Sequence, residues 1–219
     1  MKKNTKEVLL RLLLLFAGLT VAHLGVTLFL LADLGSDPFN VLIQGLRLLA
    51  LKAGRLTPTH GTVHMAVCFL IILILLLVDR SYVKLGTIVC MFCGGPIIDL
   101  FTWLLRVFAI GRAGTAVKLA VLMLGCCILA FGMSVVIRSE AGTGPNDLVA
   151  VVVSEKSGLR FGAVRVAADL LFVLIGSLLG GTFGIGTVLC AFLVGPVAEL
   201  VMPFSSSLVN ACLRSARER

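Results

Sequence analysis

Arg165 and Asp169 stand four residues apart inside a long apolar segment, FGAVRVAADLLFVLIGSLLGG. At helical spacing the two share a face, so an ion pair between them is available. An unpaired carboxylate in hydrocarbon costs ~2.5–3.5 kcal/mol on insertion scales, and more on simulation scales. The pair therefore reads as proton coupling or solute binding, with a structural ion pair as the plain alternative. Two short neighbouring segments extend the group: Asp37, Asn40 and Gln44 in GSDPFNVLIQG, and Asn146 and Asp147 in GTGPNDL. His64 aligns with Arg165 in a repeat described below, and an imidazole titrates near neutral pH. Asp99 and Glu199 each follow a Gly-Pro by three residues, and these two with His64 are candidates for coupling or for the pocket wall. His23, within the first apolar run, is expected to make a core hydrogen bond. Carboxylates outnumber the one guanidinium in this set, which suits a small cationic or zwitterionic organic solute.

The residues offer no enzyme chemistry. There is no nucleotide-binding loop, no cluster of metal ligands and no nucleophile beside an evident base, so neither cofactor nor metal is expected. Cys90 and Cys93 form a C-x-x-C, but without a second pair or a nearby His they read as small packing residues, like the other five cysteines.

The elements that hold these groups must be membrane helices. Of 219 residues 59% are apolar and 14% charged, against ~25% charged in an ordinary soluble domain. Apolar runs recur at about the ~20 residues needed to cross a ~30 Å hydrocarbon layer. The net charge of +8 sits at the ends of those runs, in Lys2, Lys3 and Lys6, Lys52 and Arg55, Arg106, Arg112 and Lys118, then Arg214, Arg217 and Arg219. Without a basic stripe interleaved with aromatics, nucleic acid is not an expected partner; the lipid bilayer and a small-molecule solute are, and a homo-oligomer is left open. The stretch from Val8 to Ala32 is too long for a signal peptide and lacks a small-x-small cleavage site, so it belongs to the fold.

GTIVCMFCGGPIIDL from Gly86 and GTVLCAFLVGPVAEL from Gly186 match without gaps at an offset of 100. HGTVHMA from His60 matches FGAVRVA from Phe161 at 101, and LGSDPFNVL from Leu34 matches AGTGPNDLV from Ala141 at 107. Gly18 and Gly25 meet Gly125 and Gly132 at that same 107. The order is kept throughout, so the chain reads as two tandem membrane repeats, 1–110 and 111–219, of four segments each. The expected fold is an all-α polytopic bundle. The second segment of each repeat, Pro38 to Lys52 and Pro145 to Lys156, reaches only ~22 Å or ~18 Å as a helix, too short to cross alone. Extended GSDP and GTGP could supply the rest, giving a broken helix whose N-terminus faces a cavity, as in transporters.

Charge placement favours eight crossings in a parallel 4+4 arrangement, with both termini and the loop from Ala109 to Thr115 in the cytoplasm. On this reading the N-termini at Pro38 and Pro145 meet near the bilayer midplane about an axis along the membrane normal. The alternative has three spans per repeat, opposed in direction, with interfacial or re-entrant short helices and the central loop outside.

The motifs resemble the YczE/YyaS/YitT type of bacterial membrane protein, most nearly the YczE-like branch, over essentially the whole chain. The family's G-x-G-P-W-D is similar to GSDPFN here, with Asp37, Phe39 and Asn40 at the positions of Gly, Trp and Asp. Its P-R-D resembles Pro145, Asn146 and Asp147; its next acidic residue corresponds to Asp169, and LGGTFGIGT from Leu179 is a close match. The resemblance implies a multi-pass protein of the bacterial cytoplasmic membrane and no settled activity. The functional expectation is a secondary transporter or exporter of a small polar solute, with proton coupling one option; a non-transporting scaffold or sensor that modulates a partner complex is the rival.

Overall fold

The computed structural model describes residues 5–35, 37–54, 58 and 60–217. Lys2, Lys3, Arg55 and Arg219, used in reading the charge placement, and Ser36 of the first short loop lie outside the described residues. Among the described residues eight α-helices follow one another: α1 (Thr5–Ala32), α2 (Pro38–Lys52), α3 (His60–Val78), α4 (Leu85–Leu105), α5 (Thr115–Arg138), α6 (Pro145–Ser157), α7 (Phe161–Leu178) and α8 (Ile185–Arg217). There is no strand among the described residues. Five of the helices are long and apolar enough to cross a membrane, so the molecule is a polytopic helix bundle whose outer surface is made for lipid. Leu77, Leu178, Leu200 and Phe69 are among its many exposed large apolar side chains, a pattern that water would not tolerate and hydrocarbon does.

The bundle is centred on the crossing of α1 and α5, where glycines let two backbones touch. A Cβ at Gly18 would stand 3.0 Å from the Gly132 carbonyl oxygen, and one at Gly125 would stand 2.8 Å from that of Gly25. Any side chain at these positions would force the helices apart. The pairing is crossed, 18 with 132 and 25 with 125, so the two helices run antiparallel. The ends agree: Arg11 near the start of α1 donates to the Ser139 carbonyl (3.0 Å) and to Glu140 (2.8 Å) just past the end of α5.

This geometry corrects the parallel 4+4 expectation and its axis along the membrane normal, because matched helices that share a direction could not pair this way. It also corrects the expected location of the central loop. Gly111 lies beside the Leu31 carbonyl at the far end of α1, whereas Val209 and Leu213 of α8 pack with Leu10 and Leu14 at the near end. The start of α1 and the end of α8 thus share one end of the bundle, and the segment from Ala109 to Thr115 occupies the other. The charges misled because Arg106, Arg112 and Lys118 weighed on that loop more than close glycine packing, which hydropathy cannot register.

Each short helix runs alongside a long one from the other half of the chain. Helix α2 lies parallel to α7, with Val41 at Gly176 and Leu48 at Gly180. Helix α6 lies parallel to α3, with Leu148 and Val152 against Leu75, and Lys156 reaching Asp79 at 3.4 Å. Each starts deep, at the middle of its neighbour, and ends at that neighbour's C-terminal end. The chain therefore turns back into the bundle after α1 and again after α5. Both turns use a glycine at φ +138°, Gly35 and Gly142, where an L side chain would be strained. Both also close by the same exchange: Gly186 N–H donates to the Leu34 carbonyl, and Gly86 N–H to that of Ala141, each at 2.9 Å.

Helices α2 and α6 start and end within a residue of the expected short segments, and helix α8 runs through Pro203 to Arg217. Proline in a helix interior removes a hydrogen bond, yet the turns beyond it bury Ser205, Val209 and Leu213 against α5 and α1. The Ser205 and Ser134 hydroxyls are also hydrogen-bonded at 2.6 Å. That packing outweighs the lost bond.

Candidate functional site

The residue pair that opened the sequence reading is an ion pair, and it is a larger group than its spacing shows. Apolar positions place α7 between α2, α6 and α8, which brings Arg165 and Asp169 to the inside of the bundle. Arg165 Nε donates to Asp169 Oδ2 at 2.9 Å, and a terminal guanidinium nitrogen donates to Asp147 Oδ1 on α6. The same nitrogen lies 3.9 Å from the Met133 sulfur of α5. Asp169 is fully buried and Arg165 nearly so, while the Asp147 side chain keeps 21% of its surface open. Burial of such ions costs several kcal/mol each unless partners are well placed, and here one cation stands between two carboxylates. The second oxygen of Asp169, Oδ1, is buried with no partner among the described residues, as is Thr143 Oγ1 just before α6. A buried carboxylate oxygen normally has a donor, from protein, water or ligand.

The starts of both short helices converge on this group. Asp37 caps α2, accepting from Asn40 N–H at 3.2 Å and from the Asn40 side-chain amide. Its charge lies within electrostatic reach of Asp169, and that of Asp147 within reach of Asp169 and His23. His23 Nδ1 is 2.7 Å from the Leu19 carbonyl, to which it donates, so the expected core hydrogen bond is present.

The other expected site residues make further contacts. His64 meets Phe39 edge-on at 5.4 Å. Gln44 accepts from the Thr182 N–H (3.2 Å) and hydroxyl (3.0 Å), tying α2 to the turn before α8. Asn146 sits half-buried on the first turn of α6. Glu199 accepts from Gly162 N–H at 2.8 Å and from Arg160 at 2.7 Å, so it satisfies the start of α7; Asp99 is exposed on α4. Sequence reasoning missed Thr143, Met133 and Cys68. Cys68 could have been found from the offset of 101, which puts its buried thiol at the position of Asp169. Among the described residues no group of His, Cys, Asp and Glu is arranged to hold a metal ion.

A groove of about 540 Å³ between α3 and α6 is separate from the ions. It is lined by apolar side chains such as Ile71, Leu75 and Val152, with Lys156 and Ser157 at its mouth. Its cause is local: where α2 and α7 touch through Gly45 and Gly176, α6 and α3 carry Val152 and Leu75, which hold the helices apart.

Comparison with known proteins finds relatives of the same kind. Residues 9–203 match the model of a family of unknown function, DUF6198. The uncharacterized membrane protein YczE of Bacillus subtilis is 28% identical over 207 residues, covering 94% of this chain and 91% of its own. An uncharacterized protein of Haemophilus influenzae is 28% identical over 193 residues (87% of this chain, 82% of its own). The uncharacterized protein YyaS of Bacillus subtilis is 22% identical over 186 residues (85% and 89%). No solved structure matches the chain.

Proposed function

We propose that this chain, which belongs to the family of unknown function DUF6198, is a secondary transporter of a small cationic or zwitterionic solute, built from two inverted repeats. The observation that carries this reading is the arrangement around Arg165: Asp147 and Asp169 grip it deep in the bundle, where both short helices begin. Three carboxylates, counting Asp37, against one guanidinium and two helix N-termini of about half a charge each leave about one negative charge in excess. A monocation, or the ammonium end of a zwitterion, would balance it. Asp169 Oδ1 and the open face of Asp147 offer it acceptors, while Asn40 and Asn146 provide amide contacts and His64 a ring. Proton coupling through these carboxylates is part of the proposal. The role is binding and transfer without covalent chemistry.

The inverted repeat is supported by reciprocity. Gly18 meets Gly132 while Gly25 meets Gly125, and Leu34 pairs with Gly186 while Ala141 pairs with Gly86. Exchanging each residue for its match returns the same contacts, as a two-fold axis across α1 and α5 requires. Each half then has three spans and one re-entrant short helix. Orientation follows from the charges: Lys6, Arg11, Arg80, Lys84, Arg138, Lys156, Arg160 and Arg214 lie toward the end shared by the termini, against Arg47, Lys52, Arg106, Arg112 and Lys118 toward the other. The richer end faces the cytoplasm of a bacterial cell.

Reconstituted liposomes with an imposed pH gradient, screened with amines, amino acids and organic acids, test the function. Uptake of an amine or amino acid that is lost in Asp169→Asn supports it; no flux and no binding in any class removes it. One observation favours the rival, a scaffold or sensor: Arg165 is already paired on both sides. The rival predicts that the ions can be replaced without loss of function.

A further inference from the structure

The two halves differ in packing at one place where their glycines are the same. Gly95 and Gly195 occupy matched positions, each followed by proline, and Gly61 and Gly162 are likewise matched at the starts of α3 and α7. In the second half this set is closed. A Cβ on Gly195 would stand 2.8 Å from the Gly162 carbonyl oxygen and 3.0 Å from Arg165 Cβ, and Glu199 holds Gly162 N–H. In the first half nothing among the described residues lies within 4 Å of a Cβ on Gly95. Helix α4 leans on α1, where Gly94 abuts the His23 ring and Gly86 the Leu15 side chain, and barely meets α3.

The neighbouring asymmetry is of another kind. Gly45 with Gly176 against Val152 with Leu75 is written in the residues and is permanent. The difference between Gly95 and Gly195 lies between identical glycine-proline pairs, one packed and one not, although Arg165 and Glu199 beside Gly195 stand where the first half has His64 and Asp99. A surface shaped for close backbone approach, standing open, marks a contact made in another state. Resting on the inverted-repeat reading above, we infer that the protein exchanges between this state, closed at α7–α8 and open at α3–α4, and its counterpart, closed at α3–α4 through Gly95 and open at α7–α8. The ions are carried on α6 and α7, so opening α7 from α8 uncovers Arg165 and Asp169 from the Gly195 side, toward the end that holds the termini. The present gap lies between the start of α3 and the middle of α4, toward the opposite end. The two openings thus address opposite sides of one site, which is the geometry alternating access requires.

Matched cysteine pairs in a cysteine-free protein, reconstituted in liposomes, test this with one short bis-maleimide. Ala163→Cys with Glu199→Cys reports the closed contact, and Thr62→Cys with Asp99→Cys reports its counterpart. The first pair is expected to cross-link promptly. The second pair is expected to cross-link to completion but about 10- to 1,000-fold more slowly, as an irreversible trap draws down a state populated at ~0.1–10%. Gly95→Leu, which has room in the present state, should leave thermal unfolding unchanged and abolish trapping of the second pair only. The inference is overturned if the second pair never closes while the first does, if the first fails to close in folded protein, or if Gly95→Leu leaves the trapping rate unchanged. Failure of the inverted repeat itself shows separately, as labelling of the central loop from the side of the termini.

Discussion

The region around α6 and α7 and the region around α2 and α3 occupy matched positions, and chemistry is concentrated in one of them. Asp147, Arg165 and Asp169 form a buried ion group, whereas their matches Asn40, His64 and Cys68 carry an amide, a ring against Phe39 and a buried thiol. Backbone geometry is shared: both short helices begin deep in the bundle, after a glycine at the same φ. On the reading proposed above, two helix starts face one centre, with the ion group on the second half and Asp37, an amide and a ring on the first. A solute seated between them would meet three charges on one side and one carboxylate with neutral groups beside it on the other.

The comparison is broken most completely by removing one ion. Asp169→Asn should cost about 3–5 kcal/mol, because it leaves Arg165 buried with less compensation, while Cys68→Ala should cost about 1 kcal/mol, typical of a point change. Thermal unfolding in detergent measures both, and equal costs would erase the distinction between the regions. A sharper form removes all three charges together. Asp147→Asn, Arg165→Met and Asp169→Leu combined should leave stability near or above that of the parent, as apolar replacement of buried ion groups often does. Flux should nevertheless be lost, and retained function would favour the scaffold reading.

Smaller effects are expected at the matched acids outside the ion group. Glu199→Gln should cost about 1 kcal/mol, the usual loss of a helix-start cap, since it weakens the bonds to Gly162 and Arg160. Asp99→Asn on the exposed face should change stability by no more than about 0.5 kcal/mol. The smallest effect belongs to Asp79, in the turn after α3. The Ser81 hydroxyl and N–H hold its carboxyl below the ordinary carboxylate range, with Lys156 adding to this. A lowered folded value stabilises the turn above the unfolded value and loses that stabilisation as pH falls through the folded one. Asp79→Asn should therefore leave flux intact, and its unfolding curve should differ slightly from the parent's between pH 5 and 8 and converge only below about pH 4.

Helix positions were legible in the sequence because apolar run length and the Gly-Pro punctuation fix them; α2 from Pro38 and α6 from Pro145 start where expected. Length showed that the short helices could not cross alone, but the crossing expected with the help of extended chain is not what forms: the chain turns back into the bundle before each of them. The mutual direction of α1 and α5 was not. Gly18, Gly25, Gly125 and Gly132 show the same offset whether the helices run together or opposed, and only the crossed contacts decide. The pairing of Arg165 with Asp169 was visible at i,i+4, but Asp147 as the second partner required knowing that α6 begins beside the second turn of α7. The passage of α8 through Pro203 is not legible locally, because the proline's penalty is outweighed by contacts distant in sequence.

The proposed inversion of the two halves underlies the proposed site, orientation and exchange between states, and side-specific labelling reaches it directly. Cys212 is exposed near the end of α8, and a Cβ at Gly114 in the central loop would meet nothing within 4 Å. Two proteins, one with Cys212 alone and one with Gly114→Cys alone, should react with a membrane-impermeant maleimide from opposite sides: Gly114→Cys in intact cells, Cys212 only after the membrane is opened. Labelling of both from the same side would restore eight crossings and contradict the inverted arrangement.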